Sequence, residues 1–327
     1  MPYLRCVRYG LAALALSSLA AAVPPAAAQT YPTANKITLV VAFAPGGIAD
    51  ALARLIGQGL SERLHQNIVV ENRPGAGGNI AAGFVARAEP DGYTLLATTT
   101  ALAINETLHE NNPFSATDLK AVAIAASSPE ALATSVTNPA NTLNDLIKAA
   151  NGRTINFGSA GVGTGSHIEA AYFFQFLAKV PAQHIPFQGG APAISATIGD
   201  QIDVLATTLG GGAAAQMAGG KLKGLGIAAN KRAAVVPNVP TYAEQGFPGF
   251  TAASWVGFFA PAKTDPQVLT TLNADINDIV KTDEVQKKLT DMGFDPIVAP
   301  QPQADEMFNA EVTKWGSMVK ALGLSID

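Results

Sequence analysis

Apolar residues in this chain alternate between short continuous runs and stretches with helical spacing. The apolar run at 37–43 predicts a buried strand, which the turn Pro45-Gly46-Gly47 ends. Apolar residues then recur every three or four positions over 48–64, which is typical of a helix that buries one face. Two further strands, at 68–70 and 93–98, enclose a predicted helix at 80–88. This β-α-β-α-β order predicts a mostly parallel sheet with right-handed crossovers.

The same alternation continues through the rest of the chain. Five predicted strands alternate with three helices, the strands at 131–136, 155–158, 183–187, 204–207 and 222–228, the helices at 143–150, 167–178 and 191–198. Residues 255–260 predict a strand that returns to the first unit, before three C-terminal helices at 266–280, 284–292 and 303–322. We therefore expect an α/β protein of two lobes, with the second inserted in the first. The expected boundaries are 29–129 and 254–327 for lobe 1 and 130–253 for lobe 2.

Residues 1–28 differ from the rest of the chain and have the features of a secretory signal peptide. Arg5 and Arg8 form a short basic region, 11–22 an apolar core, and Ala26-Ala27-Ala28 a cleavage site before residue 29. The apolar run is too short to span a bilayer, which disfavours a membrane anchor. Cleavage would also remove Cys6, the one cysteine of the chain. We therefore expect an exported protein without a disulfide, a thiolate metal ligand or a cysteine nucleophile.

Charge and motifs exclude several classes of function. The chain has 21 basic and 25 acidic residues and no long basic run, which argues against binding to nucleic acid. The sequence contains no phosphate loop, nucleophile elbow or zinc-protease motif, and 161–166 does not meet the G-x-G-x-x-G spacing. The four histidines are scattered, and no pair has the helical spacing of a metal site. We expect neither catalysis nor a bound cofactor or metal.

Glycine-rich turns follow four of the predicted strands, at 45–47, 75–78, 161–165 and 189–190. Each turn should bring backbone N–H groups and a positive helix end to the carboxyl edge of a sheet, where such groups bind anions. In open α/β sheets, ligands bind at that edge. Glycines also permit tight turns without any ligand, so one turn alone decides nothing. Two turns in each lobe make a cleft for an anion an equally good interpretation.

Polar side chains near these turns have two interpretations each. Asp50 either caps the N–H groups of its helix or contacts a ligand, and Asp203 either accepts from a ligand or caps a turn. His167 either contacts a ligand or only begins a helix. Further hydroxyl and amide groups near the turns belong to Thr98, Asn105, Ser159 and Thr164. Arg73 is the basic residue within a glycine turn, and we expect it to pair with Glu71 or to face solvent.

Several motifs together resemble one family. They are 41–47 (VAFAPGG) followed by Asp50, 69–78 (VVENRPGAGG), 90–96 (PDGYTLL), 158–164 (GSAGVGT), 186–193 (PFQGGAPA) and 255–261 (WVGFFAP). In this order and over nearly the whole chain after 28, they resemble the Bug receptors, the extracytoplasmic solute-binding proteins of tripartite tricarboxylate transport systems. The resemblance implies a two-lobed periplasmic binding protein of type II (Venus flytrap). It also implies a monomer that binds a small carboxylate between its lobes and delivers it to integral membrane permease subunits.

The resemblance and the polar candidates together give one set of expected ligand-binding residues. These are Phe43, Gly46, Gly47, Asp50, Thr98, Asn105, Ser159, Gly163, Thr164, His167, Gln188, Gly189 and Asp203. Three positions depart from the family pattern, namely Ala49, the segment 205–208 and Gln188. All three lie near the expected cleft, so the ligand of another member does not transfer to this chain. Two alternatives remain open, an exported sensor for a membrane signalling protein and an exported enzyme that uses His167 and Asp203.

Overall fold

Parallel strands with helical crossovers build the first half of the fold, in a computed structural model that describes residues 31–32 and 35–326. The first sheet begins with β1, β2 and β3, and three helices follow these strands: β1 Ile37–Val41, α1 Ile48–Leu64, β2 Ile68–Asn72, α2 Asn79–Ala86, β3 Thr94–Thr99 and α3 Ala101–Leu108. β1 lies between β2 and β3 and is parallel to both. The predicted β-α-β-α-β order is confirmed, whereas the predicted signal peptide lies outside the described residues.

A second set of parallel strands forms the next part of the chain. Its elements are β4 Leu119–Ser135, α4 Leu143–Ala150, β5 Ile155–Ser159, α5 Gly165–Tyr172, β6 Ala182–Pro186, α6 Gly190–Ile198, β7 Val204–Thr208, α7 Ala213–Ala218 and β8 Leu222–Ile227. β5 is parallel to β6 and to β7. The chain then continues through β9 Ala253–Pro261, α8 Pro266–Val280, α9 Asp283–Asp291, β10 Asp295–Pro296 and α10 Gln301–Leu322.

Strand β4 joins the two sets of strands. Its residues 119–129 pair with β9, which is antiparallel to both β4 and β3. Its residues 130–135 pair with β7 and β8. The pairing partners of β4 thus change at Glu130, close to the expected lobe boundaries at 130 and 253–254. This change supports the boundaries, which remain our prediction.

The core packs on both faces of the first sheet. Ile37, Leu39 and Val41 of β1 are fully buried in one apolar cluster with α1 and α8, and Val40 is buried in a second cluster with α2 and α10. A strand covered on both faces needs a continuous apolar run rather than an alternating one. The run at 37–43 was recognisable as a strand for this reason.

Some elements differ from the sequence-based expectations. β4 is far longer than the strand expected at 131–136. Its first half was missed because it is rich in alanine and has only Val122 and Ile124 as β-branched residues. The short helices α3 and α7 were not expected. The helix expected at 167–178 is an α-helix only up to Tyr172, and the π-helical segment Phe173–Ala178 continues it. Among the described residues, no helix is both long and apolar enough to cross a membrane.

Candidate functional site

Glycine turns follow the carboxyl ends of β1 and β2, and the second turn packs against the residues that lead from β1 into the first. A Cβ added at Gly78 would lie 3.2 Å from the Cβ of Ala42 and 3.6 Å from the Phe43 ring. Gly78 has a φ of +101°, a left-handed conformation that glycine adopts without steric cost. The turn at 75–78 therefore packs against Ala42 and Phe43, which lie between β1 and the turn at 45–47.

Asn105 of α3 connects the turn at 75–78 to the second sheet. Its side-chain amide donates to the carbonyl of Gly77 and to Oδ1 of Asn79, both at 2.9 Å. A Cβ added at Gly163 would lie 2.8 Å from Oδ1 of Asn105, so this glycine of the third turn presses against the amide. Oδ1 of Asn105 is buried and has no hydrogen-bond partner. The first and second sheets thus meet at Asn105 and Gly163.

The turns of the second sheet also form a contiguous group. Gly189 donates its N–H to the carbonyl of Ala160 at 3.1 Å, which joins the turn after β6 to the turn after β5. A Cβ added at Gly190 would lie 3.8 Å from the carbonyl oxygen of Gly211. Gly211 belongs to a fifth turn, 209–212, which follows β7 and which the sequence reasoning missed. The signal was present, because three consecutive glycines follow the strand predicted at 204–207.

Four of the helices that follow these turns begin without a side-chain cap, α1 and α2 after strands of the first sheet and α6 and α7 after strands of the second. Gly47 is the N-cap of α1 and Gly189 is the N-cap of α6, and neither position provides a side-chain hydrogen bond. The first N–H groups of such helices lack intrahelical acceptors and carry the positive end of the helix dipole. Uncapped N-termini therefore come from both sheets. This arrangement can bind two anionic groups without a cationic side chain.

Asp50 organises the first turn. Its Oδ2 accepts the N–H of Gly46 at 2.9 Å, and its Oδ1 accepts from Asn72 at 2.9 Å and from Arg54 at 2.8 Å. Burial raises the pKa of Asp50, but the hydrogen bonds from Arg54, Gly46 and Asn72 outweigh this effect and lower the pKa to about 2. Asp50 thus holds the N–H of Gly46, which precedes the N-cap Gly47, and protein donors occupy both of its oxygens, which disfavours direct contact with a ligand.

A histidine stack supports the third turn. Gly163 donates its N–H to Nδ1 of His167 at 3.3 Å, and the ring of His167 stacks on His184 with centroids 3.9 Å apart. Nε2 of His184 is 2.7 Å from Oγ of Ser159. Burial lowers the pKa of His167 to about 3, with a further contribution from His184, and burial lowers the pKa of His184 to about 4. Both imidazoles are therefore neutral and act as packing and hydrogen-bonding groups.

Hydroxyl groups near the third turn also bind protein atoms. Thr164 caps α5, because its Oγ1 accepts the N–H of His167 at 3.3 Å and donates to the carbonyl of Gly161 at 2.7 Å. Ser159 donates to the same carbonyl at 3.1 Å. These hydroxyls hold the turn in shape. Free backbone N–H groups are accordingly better candidates than hydroxyls for ligand contact.

Asp203 does not join this group. It precedes β7, at the amino end of the strand, whereas the glycine turns lie at the carboxyl ends. Its carboxylate accepts hydrogen bonds from both terminal nitrogens of Arg153 at 3.0 Å and from the N–H of Asn156 at 2.8 Å. The expectation that Asp203 lies in the cleft is therefore wrong, because a strand places its two ends at opposite edges of a sheet.

The other expected residues lie at or near the turns. Thr98 is buried within β3 and pairs with Gly257, while Gln188 is exposed in the turn that precedes α6. Arg73 pairs with Glu71 at 2.6 Å, as expected, and its guanidinium lies over the Phe84 ring. Asn72 and Asn79 were missed, because an amide that organises a turn has no local sequence pattern. Within 31–32 and 35–326, no three metal-ligating side chains cluster.

Comparisons with known proteins agree with this geometry. The profile of the tripartite tricarboxylate transporter family receptor matches residues 52–324. Protein BugT of Bordetella pertussis is 31% identical over 309 residues, which cover 92% of this chain and 93% of BugT. An R. palustris protein solved with adipate is 30% identical with a TM-score of 0.84, over 90% of this chain and 99% of that one. MatC from Rhodopseudomonas palustris, solved with bound malate, is 32% identical with a TM-score of 0.79, over 88% and 99%.

The family profile covers most of the chain, and the relatives align over nearly their full lengths. The predicted α/β binding-protein fold and the predicted resemblance are thereby confirmed. The family consists of solute-binding receptors rather than enzymes, and two of the matched structures contain carboxylates. This chain therefore belongs to the tripartite tricarboxylate transporter receptor family, which includes the Bug receptors.

Proposed function

We propose that this protein is a periplasmic receptor that binds a small dicarboxylate between its two lobes and delivers it to membrane permease subunits. The observation that carries the proposal is that helix N-termini without a side-chain cap follow strands of both sheets, among them α1 in the first and α6 in the second. Two separate positive helix ends suit a ligand with two carboxylates. Adipate and malate, which two related structures contain, are ligands of this kind.

Transport requires that the ligand changes the arrangement of the lobes. A ligand that binds both N-termini stabilises the state in which the turns of the two sheets are in contact, and so shifts the population towards it. With the expected lobe boundaries at 130 and 253–254, the connection between the lobes runs through β4 and β9. The expected export through the signal peptide at 1–28 and the periplasmic location are part of the same proposal.

A thermal-shift screen of the chain from Gln29 onwards tests the ligand class. At about 100-fold excess over the dissociation constant, a ligand adds about 2.7 kcal/mol to stability. Adipate and hexanoate form a matched pair, since both have a six-carbon chain but only adipate has two carboxylates. We expect adipate or a shorter dicarboxylate such as malate to raise the melting temperature and hexanoate to have little effect. An equal shift with hexanoate contradicts a site for two anionic groups.

A variant tests the uncapped N-terminus directly. Gly47 has a φ of −80°, and a Cβ added there would meet nothing closer than 3.6 Å, so a side chain fits. Gly47→Asp supplies the missing cap, which should raise stability by a few tenths of a kcal/mol and weaken dicarboxylate binding at least tenfold. Gly47→Ala, the control, adds no capping group and should keep most of the affinity. Wild-type affinity in Gly47→Asp refutes the role of α1.

Turnover and pull-down measurements address the two alternatives. An acid that binds and is recovered unchanged excludes the exported enzyme. Native mass spectrometry of the purified chain detects an acid carried through purification. Capture of a membrane signalling protein instead of permease subunits favours the sensor, and capture of the permease favours the receptor for transport.

A further inference from the structure

Two buried glutamates lie where the chain passes between the two sheets, and Glu130 is at the crossing itself. It is the first residue of β4 that pairs with β7, opposite Thr208. Its N–H donates at 2.9 Å to the carbonyl of Ala252, which immediately precedes β9. Both strands that connect the sheets therefore converge on Glu130. A rotation of one sheet relative to the other would change the surroundings of this residue.

Glu130 also contacts the helix that begins at the third glycine turn. A Cβ added at Gly165, the first residue of α5, would lie 2.5 Å from Oε1 of Glu130 and 2.6 Å from Oγ of Ser254. Glu169 follows one helical turn later on α5. Thr164, the N-cap of the same helix, belongs to the turn that contacts the first sheet. The two glutamates therefore lie directly behind that turn.

Both carboxyl groups are fully buried, and each has one oxygen in a hydrogen bond. Ser254 donates to Oε1 of Glu130 at 2.6 Å, and Tyr242 donates to Oε1 of Glu169 at 2.6 Å. The Oε2 atoms of both glutamates are buried without a hydrogen-bond partner. An unpaired buried charge is costly, whereas a protonated carboxyl group carries no charge. The surroundings thus favour the acid form of both groups.

The charged and titratable neighbours leave this preference in place. Burial raises the pKa of Glu130 to about 7, although Ser254 and the cation of Lys314 on α10 act in the opposite direction. Burial raises the pKa of Glu169 to about 8; the charge of Glu130 adds to this rise, and the hydrogen bond from Tyr242 opposes it. His167 lies on the same helix but contacts His184 instead. The charged neighbours therefore do not cancel the upward shift in the pKa of either glutamate.

We propose that Glu130 and Glu169 form a proton-binding pair at the crossing of β4 and β9, and that proton uptake by this pair stabilises the arrangement in which Asn105 and Gly163 are in contact. Separation of the sheets admits water to the carboxyl groups, which favours their ionised forms and releases protons to solvent. Closure removes that water and takes protons up. By linkage, rising pH opens the protein and weakens ligand binding. The affinity part of this proposal rests on the proposed function, whereas the conformational part does not.

Unfolding by urea at pH 6, 7 and 8 tests the pair without a ligand. A carboxyl group with a raised folded-state pKa contributes stability that is present below its unfolded pKa and is lost as the pH rises through its folded pKa. We expect the stability of wild type to fall more from pH 6 to pH 8 than that of Glu130→Gln, Glu169→Gln or the double variant. The buried histidines contribute equally to all of these proteins and cancel in the comparison.

Glu306→Gln is the control, because Glu306 is exposed on α10. It should keep the wild-type pH dependence. Carbon-13 NMR of the glutamate carboxyl groups in wild type needs no variant and should find two that titrate above pH 6. If no carboxyl group titrates there, or if all variants keep the wild-type pH dependence, the proton-binding pair is refuted.

Small-angle X-ray scattering tests the link to the conformation. We expect the radius of gyration of ligand-free wild type to increase from pH 6 to pH 9, and that of the double Gln variant to stay constant. For any acid that binds, affinity should fall by up to about tenfold per pH unit for each proton taken up. A constant radius of gyration in wild type refutes the link. If no acid binds at any pH, the proposed function fails, but the scattering result still decides this proposal.

Discussion

Substitution of Gly163 by alanine separates backbone strain from the contact between the sheets. Gly163 has a φ of +77°, where a side chain costs roughly 1–2 kcal/mol in any state that keeps this turn. In addition, the new Cβ would lie 2.8 Å from Oδ1 of Asn105 and 3.0 Å from Cδ2 of Leu108. Overpacking of this kind costs about 1–3 kcal/mol. This second cost arises only when the two sheets are in contact.

Gly220→Ala is a matched control. Gly220 has a φ of +67°, and nothing lies within 4 Å of a Cβ added there. In urea unfolding, Gly220→Ala should therefore lose about 1–2 kcal/mol of stability, and Gly163→Ala should lose at least as much, because overpacking adds to the backbone cost wherever the sheets are in contact. Only Gly163→Ala should also lose affinity for a dicarboxylate, by roughly tenfold to a hundredfold in calorimetry. Unchanged affinity in Gly163→Ala, or an equal loss of affinity in both variants, would refute the contact as part of ligand capture.

Three further predictions concern the turns. Asp50→Ala should lower the stability of the protein by roughly 1–2 kcal/mol at pH 7, a value that allows for the exposure of the Arg54 partner. Because the pKa of Asp50 is lowered to about 2, the difference in stability between wild type and variant should disappear in urea unfolding as the pH falls from 4 towards 2. Thr164→Val should weaken dicarboxylate binding more than Arg73→Gln, as calorimetry would measure, since Thr164 holds the third turn and Arg73 pairs with an exposed carboxylate; a greater loss in Arg73→Gln contradicts this. Gly210→Ala should lower the melting temperature, because the added Cβ overlaps the Phe294 ring. In the double variant, Phe294→Leu should restore part of this loss, because the smaller side chain leaves room for the added Cβ.

The local pattern of the chain was enough to place most elements. β1 and α8 could be read from one segment each, since a doubly buried strand needs a continuous apolar run and an amphipathic helix needs a regular stripe. The glycine turns were visible because glycine marks left-handed backbone and tight turns. β4 could not be delimited in the same way, because alanine is common in helices as well as in this buried strand, and only its pairing with β9 and β7 decides its length.

The roles of the polar residues depended on tertiary contacts. Asp50 was recognised as a candidate, but its assignment to the first turn came from Asn72, which lies 22 positions away in sequence. Asp203 was placed in the cleft by sequence reasoning, whereas its ion pair with Arg153 fixes it at the opposite edge of the sheet. No local pattern marks Glu130 and Glu169 as a pair, since only the packing of α5 against the connecting strands brings them together.

The sequence by itself determined the order of strands and helices, the positions of the glycine turns and the family, because these depend on residues close together in the chain. The tertiary structure decided which polar groups those turns use internally and which N–H groups remain for a ligand. It also decided that Asn105 joins the two sheets. The physical reason is that a hydrogen bond or a desolvated charge depends on partners from distant segments, and only the folded chain brings these partners within reach.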